Sequence, residues 1–332
     1  MQVSIQGIGN ILKESGKGFM KDRIPKLSAS LAYYTIFSIG PMMIVIIYLA
    51  DLFWGRQAVE GSIYGQVKDL VGDRAALQVQ EIIKNASVSG SSTIAAAVGL
   101  VALIVGATTV FSEIQDSINS IWKLKVKTER GWLKMLLNRL LSFSLVVSLG
   151  FLLLVSLLLN ALVEGFMDRL QELFPHIAVT LIYIINLLLT FFIIWALFAI
   201  IFKFLPDAVI RWKDVAVGAF FTAVVFMTAK FGITFYIGRS DIGSTYGTAG
   251  SLVILLLWVY FSSIILYLGA EFTKAYAMKY GDEIKPNDYA VMVQTVQVES
   301  KKKNVQENEK DTEKTEAALQ KAKDDIDKDL SK

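Results

Sequence analysis

A single basic side chain interrupts an otherwise apolar stretch of the sequence, and it is the first candidate for chemistry. Lys230 lies within the run from Val215 to Gly238. An ionisable group inside a membrane-spanning segment is costly, so such groups usually face a bundle interior or water and mark a substrate or ion pathway. Ala219 and Ala223 precede Lys230 at helical spacing, which is typical of a helix contact face and favours an inward lysine. The sequence therefore predicts a group that attracts the anionic part of a phosphate-bearing substrate, with a structural ion pair as the alternative.

A second group of polar residues is predicted to lie where several apolar segments end on the same side. Glu113 ends the second apolar segment, Glu271 ends the sixth, and Arg139 begins the third. Together with Asp116 and Asn119 they form a hypothetical inner polar cluster, in which Glu113 pairs with Arg139. Such a cluster either locks helix ends together or takes part in function, and the sequence leaves both interpretations open.

The composition argues against most hydrolytic and metal-dependent chemistry. The chain has no cysteine and one histidine, His176, which follows Pro175 in a predicted short loop. Thiol catalysis and cysteine-ligated metals are therefore excluded, and no cluster of histidines and carboxylates or acid–base pair is found. The net charge of +3 gives no strong field for the phosphates of a nucleic acid. We predict no catalytic residue, no metal site, no cofactor and no nucleic-acid partner.

Six long apolar segments must position these residues. A helix needs about 20 apolar residues to cross a bilayer core about 30 Å thick, and alternating barrel strands do not give such long runs. The segments are Leu31–Ala50, Ile94–Ser112, Leu140–Val163, Ile177–Phe202, Val215–Gly238 and Ile242–Ala270, the last of which begins as a helix near Tyr246. The prediction is an all-α, polytopic membrane protein whose six transmembrane helices occupy residues 29–281.

The distribution of lysine and arginine predicts the orientation of the six helices. Residues 1–30, 112–139 and 203–214 together hold 14 Lys and Arg, and the alternate flanking segments hold 7. Cytoplasmic flanks retain the positive charge, so both chain termini are predicted to be cytoplasmic. The segment before the first helix lacks the short apolar core and small-residue site of a cleavable signal peptide.

Three flanking segments complete the predicted organisation. Residues 1–28 mix isoleucines with five Lys and Arg, which predicts a basic amphipathic helix on the anionic inner leaflet. Residues 51–93 repeat apolar residues at helical spacing on both sides of a break at 72–74, which predicts an outer helical hairpin between the first two transmembrane helices. Residues 282–332 hold 23 of the 63 charged residues, which predicts a charged, disordered cytoplasmic tail.

Two irregular stretches are candidates for lining a pathway. Pro41 follows Gly40 in the middle of the first segment, where proline removes a backbone hydrogen bond and commonly kinks the helix. A kinked helix can line a binding site near the midplane, and a tolerated packing irregularity is the alternative. The stretch from Asp241 to Ser251 contains Tyr246 and Gly247 and is too polar and glycine-rich for a lipid-facing wall. It predicts a re-entrant turn or an outer vestibule.

Several short stretches occur in an order that matches one known family. They are Ala29–Tyr34 with Ser38–Pro41, Ile118–Trp122, Leu205–Pro206 followed by Arg211–Asp214 and Gly218–Ala219, then Lys230, Tyr236, Tyr246–Gly247, Leu257–Tyr260 and Leu268–Glu271. Together they resemble the YihY/virulence factor BrkB family of bacterial inner-membrane proteins, historically mislabelled ribonuclease BN. The resemblance implies a multi-pass protein of the bacterial cytoplasmic membrane, and it adds Tyr34 and Tyr236 to the pathway candidates.

The resemblance also limits the functional hypotheses. Family members are usually described as permeases or envelope factors with links to lipid or lipopolysaccharide-precursor handling. The first hypothesis is a translocator or permease for an anionic or lipid-linked envelope component, with membrane lipids as partners. The alternative is a membrane scaffold or regulator of envelope assembly that acts through its cytoplasmic ends. A ribonuclease is not supported by any catalytic constellation, whereas the substrate, its direction of movement, the energy source and the oligomeric state stay open.

Overall fold

The computed structural model describes residues 5–53, 77, 106, 109–126, 175–239, 250–282 and 284–293, which are mostly helical. The helices are α1 Ile5–Lys21, α2 Ile24–Phe53, α3 at residues 109–121, α4 Pro175–Phe204, α5 Trp212–Arg239 and α6 Gly250–Tyr280. The strands within the described residues are short: β1 Leu124–Val126, β2 Ala208–Val209, β3 Lys285–Pro286 and β4 Ala290–Met292. The chain divides into two units, Met1–Met292 and Val293–Lys332.

Three helices in the described part of the chain are long and apolar enough to cross a membrane. Their apolar stretches are Ile184–Phe204 in α4, Trp212–Tyr236 in α5 and Leu252–Tyr280 in α6. They overlap the predicted fourth, fifth and sixth segments, and α2 contains the predicted first segment. The predicted third helix at 140–163 and nearly all of the predicted hairpin at 51–93 lie outside the described residues.

Helices α5 and α6 pack closely because each has a glycine opposite a threonine of the other. A Cβ on Gly218 would lie 2.0 Å from Oγ1 of Thr273, and a Cβ on Gly269 would lie 2.1 Å from Oγ1 of Thr222. Each threonine hydroxyl donates to a carbonyl of its own helix, Thr222 to Gly218 and Thr273 to Gly269, both over 2.7 Å. No polar atom is therefore left unpaired at this contact, as a membrane-spanning interface requires.

The core lies between the helices, and their other faces are apolar and exposed. Ile118, Phe202 and Tyr267 are fully buried and belong to α3, α4 and α6. Phe220 and Phe231 on α5 are exposed. Large apolar side chains on the outside of long helices are typical of a surface in contact with lipid.

The last helix runs past its predicted end. The prediction stopped at Ala270 because charged residues follow, but α6 continues to Tyr280. It ends at Gly281, whose N–H donates to the carbonyl of Ala277 over 2.9 Å. A Cβ on Gly281 would lie 2.6 Å from Oδ2 of Asp214, so the turn that follows α6 packs directly on the start of α5.

The segment after α6 forms the strands that an all-α prediction omits. β4 pairs antiparallel with β1, so that Val126 lies opposite Ala290, and β3 pairs antiparallel with β2. A strand of two or three residues is too short to show the alternation of apolar and polar residues from which strands are predicted. The sequence therefore did not indicate these four strands. The tail predicted from residue 282 thus begins with paired strands, and residues 294–332 lie outside the described residues.

Candidate functional site

The amphipathic helix α1 packs against α6. Ile11 is buried on the α1 side, and Lys279 of α6 donates from Nζ to the carbonyl of Gly7 over 3.1 Å. A Cβ on Gly18 would lie 2.6 Å from both the carboxyl carbon and Oε2 of Glu271. The two helices therefore approach each other at Gly18 because that residue has no side chain.

Charged side chains from three parts of the chain meet where α1 ends. Asp22 forms an ion pair with Lys123, which follows α3, and its other carboxyl oxygen lies 3.6 Å from Nζ of Lys274 on α6. Lys274 Nζ also donates to Oε2 of Glu271 over 3.1 Å and to the carbonyl of Ile121 over 2.8 Å. The side chains of Asp22 and Glu271 are only 5% and 3% exposed. This carboxyl cluster of Asp22, Glu271, Lys123 and Lys274 ties α1 and α3 to α6.

Two left-handed backbone positions bring the members of this cluster together. Arg23 has a φ of 54° and Lys123 a φ of 59°, and neither is glycine. Each follows the last turn of a helix: the N–H of Arg23 bonds to the carbonyl of Met20, and that of Lys123 to the carbonyl of Ser120. A left-handed conformation costs a non-glycine residue about 1 kcal/mol. Such strain persists where the surroundings enforce it, which is common at functional sites.

The local charges keep Asp22 ionised. Burial opposes ionisation, but the hydrogen bond from Lys123 and the charges of Lys274 and Lys123 favour it, so the pKa of Asp22 is lowered below its ordinary value. Lys274 also faces Glu271, so the two buried acids share one ammonium group.

A basic cavity opens between α1 and α6 next to this cluster, and we call it the α1–α6 groove. Its volume is about 800 Å³. Six lysines and three carboxyl groups line it: Lys13, Lys17, Lys21, Lys123, Lys274, Lys279, Glu14, Asp22 and Glu271. Lysine carries a compact charge on a flexible stem and binds phosphate groups. The groove is therefore suited to an anion with a phosphate group.

A second buried carboxylate lies close by and is held by neutral groups. Asp207 is buried and accepts hydrogen bonds from the side-chain amides of Gln115 over 3.0 Å and Asn119 over 2.8 Å. Its backbone N–H donates to Oδ1 of Asn119, and its carbonyl accepts from the N–H of Asn287. Burial and the neighbouring charge of Asp207 raise the pKa of Tyr289. Asp207 thus joins α3 to the strand segment after α6.

The predicted inner polar cluster is divided between these two groups of contacts. Glu271 contacts Lys274 and Asp22, whereas Asn119 bonds to Asp207. Glu113 lies half-buried on α3, and Asp116 is exposed on the same helix. The predicted partner Arg139 lies outside the described residues, so its pairing with Glu113 stays a prediction.

The predicted pathway residues lie away from the groove or outside the described residues. Lys230 is half-buried on α5, and Tyr236 is exposed further along the same helix. Gly218 of α5 contacts Thr273 on α6, close in sequence to Lys274 of the groove. Lys230 lies twelve residues further along α5, which is roughly 18 Å along the helix axis. Tyr34 is 37% exposed on α2. Pro41 lies in α2, its side chain is outside the described residues, and so are Tyr246 and Gly247.

Sequence reasoning missed the partners that make the groove. The sequence predicts a basic amphipathic helix on the inner leaflet for residues 1–28 and indicates no partner for its lysines, and Asp22 and Lys274 are not among the predicted site residues. Gly18, an interior glycine in a predicted amphipathic helix, was the available signal, because such a glycine often permits a close approach. Among the described residues, no three of His, Cys, Asp and Glu are grouped so that they could hold a metal ion.

Comparison with known proteins gives one family. The family model described as "Virulence factor BrkB" matches residues 16–291. This match covers all the described elements from the second half of α1 to the beginning of β4. No solved structure matches the chain.

Three similar proteins are named as UPF0761 membrane proteins. A UPF0761 membrane protein of Tolumonas auensis is 28% identical over 76% of this chain and 80% of its own length. One from Pseudoalteromonas atlantica is 28% identical over 80% of this chain and 86% of its own length. One from Ralstonia nicotianae is 27% identical over 75% of this chain and 55% of its own length. With three apolar helices of spanning length in the described residues, these matches make the chain a multi-pass membrane protein.

Proposed function

The chain belongs to the virulence factor BrkB family of membrane proteins, and from this premise we propose that it translocates an anionic or lipid-linked component of the bacterial envelope across the inner membrane. The α1–α6 groove binds the anionic group. Lys230 and the other predicted pathway residues lie along the route through the helices. No catalytic step is part of this function.

The proposed topology has six transmembrane helices with both termini in the cytoplasm. The excess of Lys and Arg in the flanks of one side supports it, with 14 against 7 on the other. Four of the six groove lysines belong to the segments assigned to that side, and Lys274 and Lys279 lie near the C-terminal end of α6, which the same topology places there. The groove then faces the inner leaflet, whose anionic lipids attract basic segments by about 1 kcal/mol for each Lys or Arg near the surface.

The observation that carries the proposal is the excess of lysines over carboxyl groups in the α1–α6 groove. Six lysines face three acids there. Unbalanced positive charge in a partly enclosed space raises the local concentration of anions.

The outer face of α1 supports an amphipathic ligand. Ile8, Leu12 and Met20 are exposed on this helix, next to the lysine-bearing face. A helix with this division lies at the level of the lipid headgroups, with its apolar face toward the acyl chains. The groove would therefore lie at the same depth in the membrane as the lipid headgroups.

Movement of labelled phosphatidylglycerol between leaflets of proteoliposomes tests the proposal. The groove variant replaces three exposed lysines of α1, and its matched control replaces three exposed lysines that do not line the groove. The substitutions are Lys13→Gln, Lys17→Gln and Lys21→Gln against Lys26→Gln, Lys125→Gln and Lys213→Gln. We expect the groove variant to move lipid about tenfold or more slowly, and the control to move it at the wild-type rate.

A second variant tests the route through the helices. Lys230→Met should abolish movement while the protein still binds dihexanoyl phosphatidylglycerol, because α5 places Lys230 far from the groove. Glycerophosphoglycerol, the same anion without acyl chains, distinguishes a lipid from a soluble phosphodiester as the preferred ligand. If the wild type neither moves the labelled lipid nor binds either phosphodiester, the proposed function is wrong.

A further inference from the structure

The carboxyl cluster places two acids beside the same ammonium group at the wall of the α1–α6 groove. Lys274 Nζ lies 3.1 Å from Glu271 Oε2 and 3.6 Å from Asp22 Oδ2. Oε1 of Glu271 is buried and has no hydrogen-bond partner among the described residues, and burial without a donor favours the protonated form of a carboxyl group. The proposed anion would thus bind within a few ångströms of a pair of acids that can take up a proton.

We propose that the α1–α6 groove takes up its anion together with a proton, which is held by the carboxyl pair of Asp22 and Glu271. This inference rests on the proposed function, and it names the ion that is coupled to ligand binding. The groove holds the anion with its lysines, and the acid pair holds the proton.

The charges that face the pair come from every element packed around it. On α1 and its end they are Lys13, Glu14, Lys17 and Lys21, after α3 Lys123, and on α6 Lys274 and Lys279. Lys123 and Lys274 make direct ion pairs with the two acids. Glu14 is exposed and pairs with Lys17 over 2.7 Å. Lys13, Lys17, Lys21 and Lys279, which make no ion pair with the two acids, lie along the groove where an anion can reach them.

An anion in this groove and a proton on the pair stabilise each other. The anion competes for the ammonium groups of Lys274 and Lys123, which removes positive charge from the two acids. It also places a negative charge next to them, and like charges nearby favour the protonated form of a carboxyl group. Because linkage is reciprocal, protonation of the pair must strengthen anion binding by the same factor.

The affinity of the groove for its anion should depend on pH. If binding takes up a proton, the affinity for the anion increases as the pH falls, by at most about tenfold for each pH unit and each proton. The increase stops once the pair is fully protonated in the free protein. A proton gradient across the membrane then changes how strongly the groove holds its anion.

Calorimetric titration of the purified full-length protein in detergent tests the linkage. The probe is dihexanoyl phosphatidylglycerol, because a phosphodiester keeps one negative charge across the range and any proton taken up belongs to the protein. Binding heats in two buffers of different ionisation enthalpy at one near-neutral pH give the number of protons taken up. We expect a positive fraction of a proton for each anion, and tighter binding at lower pH.

Matched substitutions assign the proton to the pair. Glu271→Gln and, separately, Asp22→Asn should bind the probe and lose most of the proton uptake. Glu14→Gln removes one carboxyl group of the same groove that is exposed instead of buried, so it should keep the wild-type uptake. Two single variants are used because one of them may not accumulate as folded protein.

The outcomes separate this inference from the function on which it rests. If the wild type moves no lipid and binds neither this probe nor glycerophosphoglycerol, the proposed function fails and the linkage fails with it. Binding without proton uptake overturns the linkage alone. Uptake that Glu14→Gln removes, or that both variants of the pair retain, assigns the proton to other groups and also overturns it. Uptake with the lipid but none with glycerophosphoglycerol does so as well, because the linkage is to the shared anion.

Discussion

A glycine and an acid set the distance between the first helix and the last. Gly18 of α1 lies so close to Glu271 that a Cβ would be 2.6 Å from the carboxyl group. Asp22, one turn further along, joins the same contact through Lys123 and Lys274. The position of α1 therefore depends on the absence of one side chain and the charge of another.

Substitution of Gly18 should release α1 from α6. Gly18→Ala forces the carboxyl group of Glu271 or the helix itself to move, at a cost of about 1 to 3 kcal/mol. Gly16→Ala is the matched control, because nothing lies within 4 Å of its Cβ position, and alanine there should stabilise the helix by about 0.5 to 1 kcal/mol. Amide hydrogen exchange of α1 measures both effects. Equal protection in the two variants would contradict the close contact.

The docking of α1 on α6 should weaken at low pH, because it depends on the ionised form of Asp22. Its pKa is lowered below 3.8 in the folded protein, so its contribution to stability is complete above that ordinary value and is lost as the pH falls through the lower folded value. We expect exchange of the α1 amides to accelerate only below about pH 4. Asp22→Asn should accelerate it at neutral pH too, and Asp282→Asn, in an exposed ion pair with Arg211, should not. Unchanged exchange in Asp22→Asn would contradict the role of this ion pair.

Residue types predicted some members of the site and not their partners. Glu271 was singled out because a charge at the end of an apolar segment is visible in the sequence, and the lysines of α1 stand out in the same way. That Glu271 lies beside Asp22, and that Asn119 bonds to Asp207, depends on how α1, α3 and α6 cross. Hydropathy fixes which residues are in a helix and says nothing of which helices are neighbours.

At the scale of elements, the long helices were predictable and their contacts were not. Apolar runs predicted α4 and α5 with bounds close to those observed, because only a helix satisfies the backbone over such a length in lipid. The reciprocal contact of glycine and threonine between α5 and α6 was not predicted. Ala219 and Ala223 were noted as a small-residue stripe, and both are buried, whereas the closest contact lies at Gly218.

The α5–α6 contact should tolerate no methyl group. Gly218→Ala places a Cβ 2.0 Å from Oγ1 of Thr273, and we expect it to destabilise the protein by about 2 kcal/mol or more. Gly232→Ala on the same helix is the control, because nothing lies within 4 Å of its Cβ position. Thermal unfolding in detergent measures the difference. A Gly218→Ala protein as stable as the control would show that α5 and α6 can separate at no cost.

At the scale of the whole molecule, the segment after α6 closes one end of the bundle. β3 and β4 pair with β2 and β1, and Asn287 bonds to Asp207. These contacts join residues far apart in the sequence through very short strands. The composition of this segment predicts a charged tail, because its few apolar residues are not consecutive.

Two truncations distinguish the strand segment from the residues that follow. Removal of residues 294–332 leaves every described contact of the first unit in place, so the unfolding temperature should stay close to that of the full chain. Removal of residues 283–332 also deletes β3 and β4 and leaves the buried Asp207 carbonyl without its donor, at a cost of about 1 to 3 kcal/mol for that group alone. Lipid movement should survive the shorter deletion, whereas a scaffold that acts through its tail should lose its role. Equal unfolding temperatures for the two truncations would contradict the closing role of the strands.

The pairing of β1 with β4 also decides when this end of the protein can be completed during synthesis. β1 ends at Val126, and its partner begins at Ala290. At typical rates of translation, the roughly 165 residues between them take on the order of 10 to 30 s to emerge. Until then β1 and β2 have unpaired strand edges and Asp207 lacks the donor from Asn287. A chain whose synthesis stops before residue 284 therefore keeps this end of the bundle open, with strand edges and a buried carbonyl that the finished protein covers.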